Sequence, residues 1–477
     1  MKPIIAGQIE AVAGPPALAA SPRWALAGLS LAMLMSSLGT SAANVALPTL
    51  AQTFGASFQQ VQWIVLAYLL AITTLIVGAG RLGDIVGRRR LLLVGVVLFT
   101  AASALCGAAS SLAMLIAARA AQGLGAAVMM ALAMALVGET VAKERTGRAM
   151  GLLGTMSAIG TALGPSLGGV LIAGPGWRTI FLVNVPLGIV TLLLARGLPA
   201  DRGEPGAART RFDAVGTLLL ALTLAAYALA MTSGRGSFGA LNLVLLSAAA
   251  LAFGLFWLAE IRAPSPLVRP AMFRDPTLSA GLAMSALVST VMMATLVVGP
   301  FYLARALGLA AAPVGLVMSV GPLVTALTGV PAGRIVDRFG AERATLAGLI
   351  ALAAGSFLLA MAPPTLGIAG YVAPLVVLTA GYALFQTANN TAVMRDVSSD
   401  RRGVVSGLIN LSRSLGLVTG ASAMGAVFAL ASATADVATA PAAAVATGLR
   451  VTFTVAAALI AVALAVAVVT GRRRSQA

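Results

Sequence analysis

Histidine is absent from this 477-residue chain, and cysteine occurs once, at Cys106. An internal disulfide is therefore impossible, and a histidine-ligated zinc site or a Cys/His catalytic centre is excluded. Charge is scarce too: 9% of residues, with only 14 acids. None of the acids lies clearly inside an apolar run, and Glu139, Asp213 and Glu260 all stand at run ends. A soluble protein of this length needs a charged surface, which a chain that is 59% hydrophobic cannot supply. Long apolar runs are what it has instead, and they mark a polytopic membrane protein.

The net charge of +17 invites a nucleic-acid reading. Its distribution excludes one, because the arginines sit in short connectors and not along a groove-sized face. Counting runs able to cross roughly 30 Å of hydrocarbon gives fourteen. Their limits are 24–48, 61–80, 91–109, 112–137, 149–173, 179–196, 213–232, 238–259, 278–304, 311–332, 344–361, 369–394, 403–430 and 447–470. Without water to satisfy its backbone, each must be helical. The first run is too long for a cleaved signal's roughly 7–15-residue core. One set of connectors carries Arg81 and Arg88–Arg90, Arg145, Arg209, Arg262, Arg334 and Arg402; the alternate set has only Arg178, Arg235, Arg305 and Arg450. The positive-inside rule then puts both termini in the cytoplasm, which requires an even number of spans.

The stretch Gly80-Arg-Leu-Gly-Asp84-Ile-Val-Gly87-Arg88-Arg89-Arg90 returns as Gly333-Arg-Ile-Val-Asp337-Arg338-Phe-Gly340-Ala-Glu-Arg343, 253 positions on. The fifth run, with Gly160 and Gly164, resembles the thirteenth, with Gly416 and Gly420, at an offset of 256. Two matches at nearly one offset imply two six-helix bundles with two inserted helices between them. The expected divisions are a cytoplasmic segment 1–23, a bundle 24–196, a linker with two spans 197–277, a bundle 278–470 and a tail 471–477. Halves related by an axis along the membrane normal place a substrate at mid-depth between them. The run Gly78-x-Gly80-x-x-Gly83 also spells a dinucleotide fingerprint, but it lacks the preceding strand and is a decoy. No cofactor, no metal and no enzymatic activity are expected.

Four ordered motifs carry a family resemblance: Gly80–Arg90 after the second helix, Arg119-x-x-Gln122-Gly123-x-Gly125 in the fourth, Gly160-x-x-x-Gly164-Pro165-x-x-Gly168-Gly169 in the fifth, and Gly176-Trp177-Arg178 entering the sixth. Across residues 24–470 the chain resembles the major facilitator superfamily, in its fourteen-spanner drug/proton antiporter branch. The resemblance implies an all-α transporter of the bacterial inner membrane, exporting amphipathic small molecules by proton-coupled antiport. Asp84 suits a helix N-terminus, where exposed N–H groups favour an anion. The resemblance names that partner as the start of the thirteenth run, near Val404 to Gly407, and by symmetry Asp337 meets the fifth near Ala149 to Gly151. Arg88 would then pair with Glu139, and Arg338 keeps in the second copy the basic residue that is Ile85 in the first. Together these groups form a latch. Arg89 and Arg90 need only set topology.

Gly160, Gly164 and Gly168 recur every four residues, and with Pro165 and Gly169 they are expected to form a close seam against the opposite half. Arg119 and Arg413 lie inside runs, where an uncompensated arginine costs about 3 kcal/mol. Each either couples protonation to substrate or braces its own bundle. Polar and aromatic groups able to line the cavity are Asn44, Tyr68, Gln122, Tyr382, Gln386, Asn389 and Asn390, with Trp63 beside them. The branch carries a membrane aspartate in the first helix where this chain has Gly39. Proton exchange uses a buried carboxylate of raised pKa. Its absence keeps open a facilitator, or a metabolite or anion exporter, on the same fold. A non-transporting sensor or scaffold would need a soluble output module that no connector is long enough to hold. The expected partners are a small-molecule substrate, protons and the lipid bilayer, with no nucleic acid; the oligomeric state stays open.

Overall fold

The computed structural model describes residues 22–476 apart from 142–145, 199–212, 234–238, 264–265, 268–269, 396, 398–401 and 433–439. The expectations for the N-terminal segment up to residue 21 and for the linker residues 199–212 lie outside the described residues. All fourteen predicted runs are helical. The first five are α1 (Pro22–Phe54), α2 (Phe58–Val86), α3 (Arg88–Ala108), α4 (Leu112–Thr140) and α5 (Thr146–Ala173). The sixth is split into α6 (Thr179–Leu182) and α7 (Asn184–Ala195). The insertion is α8 (Ala214–Thr232) and α9 (Ala240–Arg262). The second half comprises α10 (Pro276–Phe301), α11 (Ala311–Phe339), α12 (Ala341–Met361), α13 (Gly367–Met394), α14 (Arg402–Thr419), α15 (Gly425–Ala431) and α16 (Ala442–Gln476). A π-helical turn, Gly420–Met424, joins α14 to α15 into one span. Among the described residues, thirteen spans are long and apolar enough to cross a bilayer. The α6–α7 pair, Thr179–Ala195, is shorter and sits at the lower limit of the roughly 17–25 residues needed.

Helix ends follow local chemistry. Ser57 and Gln60 close a capping box on α2, Ser111 caps α4, and Asp275 accepts from the Thr277 and Leu278 amides ahead of Pro276. The turns α2–α3 and α11–α12 are single glycines at positive φ, Gly87 at 103° and Gly340 at 84°. Any side chain there would be strained, and the two positions are equivalent in the two copies.

The duplication is written into the packing. A Cβ on Gly125 of α4 would meet the Phe99 amide at 2.7 Å and the Gly95 carbonyl at 2.8 Å in α3. Gly381 of α13 meets the Gly348 carbonyl at 2.8 Å in α12 in the same way. Among the described residues, close contacts between the halves gather toward the end opposite the arginine-rich connectors. There Phe58 of α2 stacks edge-on against Phe301 of α10 at 4.7 Å and Phe428 of α15 at 5.3 Å, within a core drawn from both halves. At the arginine-rich end the first half keeps a core of its own. The α8–α9 hairpin lies outside the bundle, with α8 against α2, α14 and α15 and α9 behind it. Trp63 Nε1 donates to Thr232 Oγ1 at 3.1 Å and ties the hairpin to α2.

Candidate functional site

At the arginine-rich end, Arg88 follows the Gly87 turn and lies between two acids. Its guanidinium is 2.9 Å from Asp84 Oδ1, one helical turn back, and 2.5 Å from Glu139 Oε1 at the end of α4. The Arg88–Glu139 pair is the contact expected from the sequence. Both acids are exposed, so each pair contributes at most about 1 kcal/mol. Asp337 is also exposed, and Arg338 lies over the Phe339 ring at 5.3 Å. Nothing lies within 4 Å of a Cβ placed on Gly407 or Gly151, the positions the two aspartates were expected to approach. Ala149 is buried in the first half's core, and the Val404 side chain lies outside the described residues. No described atom crowds Gly407 or Gly151 in this conformation.

The glycine stripe of α5 packs differently from the expectation. A Cβ on Gly160 would meet the Leu34 carbonyl, one on Gly164 would meet Ser41, and one on Gly168 would lie 3.3 Å from the Ala42 carbonyl. All three partners are in α1, in the same half. Ser41 Oγ donates to the Gly160 carbonyl at 3.2 Å, and the Ser37 and Ser157 hydroxyls bond at 2.6 Å. The contact with the opposite half falls one position on, about 100° around the helix. There a Cβ on Gly169 would lie 2.8 Å from the Ala311 carbonyl and 2.9 Å from Gly315 Cα in α11, and Gly315 also abuts the Pro165 carbonyl. The second copy repeats both contacts at the offset of 256. Gly416 and Gly420 abut α10 at the Ala286 and Thr290 carbonyls, and Gly425 abuts Gln62 of α2. Gln62 Nε2 in turn donates to the Ala421 carbonyl at 3.0 Å. Gly315, Gln62 and Gly425 were missed by sequence reasoning, although Gly425 could have been found by carrying Gly169 forward by the repeat.

Arg119 is sealed inside the first half, with no exposure. Its Nε donates to the Ile64 carbonyl at 3.0 Å and its Nη1 to Gln122 Oε1 at 2.5 Å, while Gln122 Nε2 donates to Ser103 at 2.7 Å. The guanidinium lies 4.1 Å from the Tyr68 ring centroid, and the Tyr68 hydroxyl donates to the Ser36 carbonyl at 2.7 Å. A Cβ at Gly39 would lie 3.2 Å from that hydroxyl and 3.3 Å from Phe99. The position that holds an aspartate in the branch therefore faces this internal cluster.

The expected cavity residues separate into groups. Asn44, Tyr68 and Gln122 are buried in the first half, Asn44 Nδ2 donating to the Thr40 carbonyl of its own helix at 2.9 Å. Asn389 points into the second half, donating to the Gly281 carbonyl at 3.1 Å. It lines a cavity of about 330 Å³ with Met284, Glu342 and Thr345, away from the space between the halves. Tyr382 and Gln386 are half-buried and Asn390 is exposed, at successive four-residue steps of α13. On α14, Ser412 donates to the Leu282 carbonyl and, with Gly416 and Gly420, faces α10. Leu408, Leu411 and Leu415 pack into the core shared with α8 and α9. The remaining face, Ser406, Asn410, Arg413 and Leu417, is half-exposed throughout, and Arg413 Nη2 donates to Asn410 Oδ1 at 3.2 Å.

The sequence profile of the Major Facilitator Superfamily matches residues 29–421. The multidrug resistance protein Stp of Mycobacterium tuberculosis is 33% identical over 416 residues, 85% of this chain and 75% of that protein. The riboflavin transporter RibZ of Clostridioides difficile is 30% identical over 406 residues, 84% of this chain and 87% of that protein. A bacterial homologue of the human lysosomal transporter Spinster, solved inward-facing and unoccupied, has the same fold, with a TM-score of 0.66 and 17% identity over 94% of this chain and 97% of that one. Together with the duplicated bundles, these matches show that the chain belongs to the Major Facilitator Superfamily, as a multi-pass membrane transporter and not an enzyme.

Proposed function

We propose that the protein exports amphipathic small molecules across a bacterial inner membrane by alternating access, with both termini and the arginine-rich end in the cytoplasm. One observation carries this reading. The duplicated cross-half contacts, Gly169 against Gly315 and Gly425 against Gln62, lie at the end remote from the arginines, and no neighbour crowds Gly151 or Gly407 at the other. Such an arrangement is closed outside and open inside, and rocking the halves about a mid-depth site reverses it. In the reversed state Asp84 and Asp337 reach the helix starts of α14 and α5 and latch the cytoplasmic end, while Arg88 holds Asp84 in place. Arg119 acts as an internal brace, because every group it meets belongs to its own half.

Protons are the coupling ion of this reading, taken up by an acid at a helix end, Glu139 or Asp213. A second reading, facilitated export without a proton, is favoured by Gly39, which leaves the Arg119–Tyr68 cluster without a carboxylate. Efflux of a panel of fluorescent amphipathic dyes from loaded vesicles, with and without a protonophore, decides between the two. Efflux that stops when the proton gradient collapses supports antiport. Unchanged efflux supports facilitation, and no efflux of any dye rejects the exporter.

A further inference from the structure

The half-exposed face of α14 supplies a recognition chemistry that the exporter reading leaves open. Arg413 lies eleven residues into the helix, about 16 Å along it at roughly 1.5 Å per residue, and eight past the start of the apolar span Val405–Ala431. The other sides of α14 are taken by α10 and by the core shared with α8 and α9, so this face turns to the space between the halves. A guanidinium there offers five donors, and its one described hydrogen bond goes to a neutral amide oxygen. Among the described residues, the ion pairs are both at Arg88 and every acid stands at a span end. Arg119 and Arg413 thus differ in kind: Arg119 is walled in, whereas Arg413 is half-exposed, with no ion pair among the described residues to neutralise it. Leaving it so is costly at this depth, and a bound anion removes the cost.

We propose that Arg413 is the anchor for the anionic head of an amphipathic substrate, a carboxylate, sulfonate or phosphate, which the planar guanidinium grips through paired hydrogen bonds. Asn410 orients the guanidinium, Ser406 lines the face one turn toward the cytoplasm, and Leu417 carries the apolar body one turn deeper. The substrate class is therefore organic anions, not the cations that a carboxylate-lined pump selects.

The inference rests on the exporter reading, so its test has a transport arm and a binding arm. Everted vesicles containing the full-length protein are given carboxyfluorescein or ethidium, and the purified protein is titrated with carboxyfluorescein by fluorescence anisotropy. Arg413→Gln is expected to weaken carboxyfluorescein binding and its transport about tenfold or more, the loss of a charge-assisted pair. Arg413→Lys should retain an intermediate affinity, and ethidium should gain or hold its flux in Arg413→Gln. Equal binding by wild type and Arg413→Gln overturns the proposal, as does no binding by the wild type. An equal fall in both dyes at normal protein levels overturns it too, since that marks a structural role. Arg413-dependent binding without transport of either dye keeps the site and rejects the exporter.

Discussion

Gly169→Ala tests the closed end of the transporter. The added methyl would sit 2.8 Å from the Ala311 carbonyl and 2.9 Å from Gly315 Cα. Favourable carbon contacts lie at about 3.5–4.0 Å, so α5 and α11 must separate by something near 1 Å. Both neighbours are backbone atoms, which cannot swing aside as a side chain can. Overpacking of this kind costs about 1–3 kcal/mol. The contact exists only when the end remote from the arginines is shut, so the whole cost falls on that state. Its population relative to the reversed state should drop about 5–150-fold. A thiol on the cavity face reports the change: Asn410→Cys, attacked by a membrane-impermeant maleimide from the proposed external side. The background is low, because the native Cys106 is buried. Labelling of Asn410→Cys should accelerate in the Gly169→Ala background by at least fivefold. Gly154→Ala, on a stretch of α5 with nothing within 4 Å, should leave the rate unchanged. An unaltered rate with Gly169→Ala, or an equal rise with Gly154→Ala, refutes the assignment of α5–α11 as the closing contact.

The remaining predictions concern latch, brace and packing. Asp84→Asn should insert normally and lower transport, read as dye efflux at matched protein level; normal efflux would retire the latch. Arg119→Gln should destabilise the first half by about 1–3 kcal/mol, through lost interhelical bonds and the Tyr68 contact, read as a lowered midpoint of thermal unfolding in detergent. Gly125→Ala and Gly381→Ala, equivalent sites in the two halves, should each cost about 1–3 kcal/mol in the same assay, because each new methyl meets backbone within 3 Å.

Much of this architecture could be read from residue order. The repeat offsets near 253 and 256 placed equivalent helices in equivalent packing, down to the positive-φ turns at Gly87 and Gly340. The Arg88–Glu139 pair was legible because both residues lie at the same end of adjacent helices. Helical spacing also marked Gly160, Gly164 and Gly168 as one close-contact face, yet it could not say which neighbour that face meets. Spacing fixes an angle about one axis, whereas the partner depends on how all the helices assemble. The same limit misplaced Asn389. It stands one residue from Asn390, but about 100° around α13, and so points into its own bundle while Asn390 is exposed. Arg119 was ambiguous for a related reason: burial, not sequence, decides whether an intramembrane charge serves as a brace or meets a ligand.

Two duplicated bundles that rock about a mid-depth site must exchange their joined and parted ends during transport. Paired spin labels measure this directly, with one pair at Thr53 and Ala310 across the joined end and one at Val86 and Phe339 across the parted end, all four positions being exposed. Electron–electron distance measurements on the protein in lipid nanodiscs should give two populations at each pair. Conditions that lengthen the first distance should shorten the second. Distances that stay single-valued at both ends, or that lengthen together, would contradict the account.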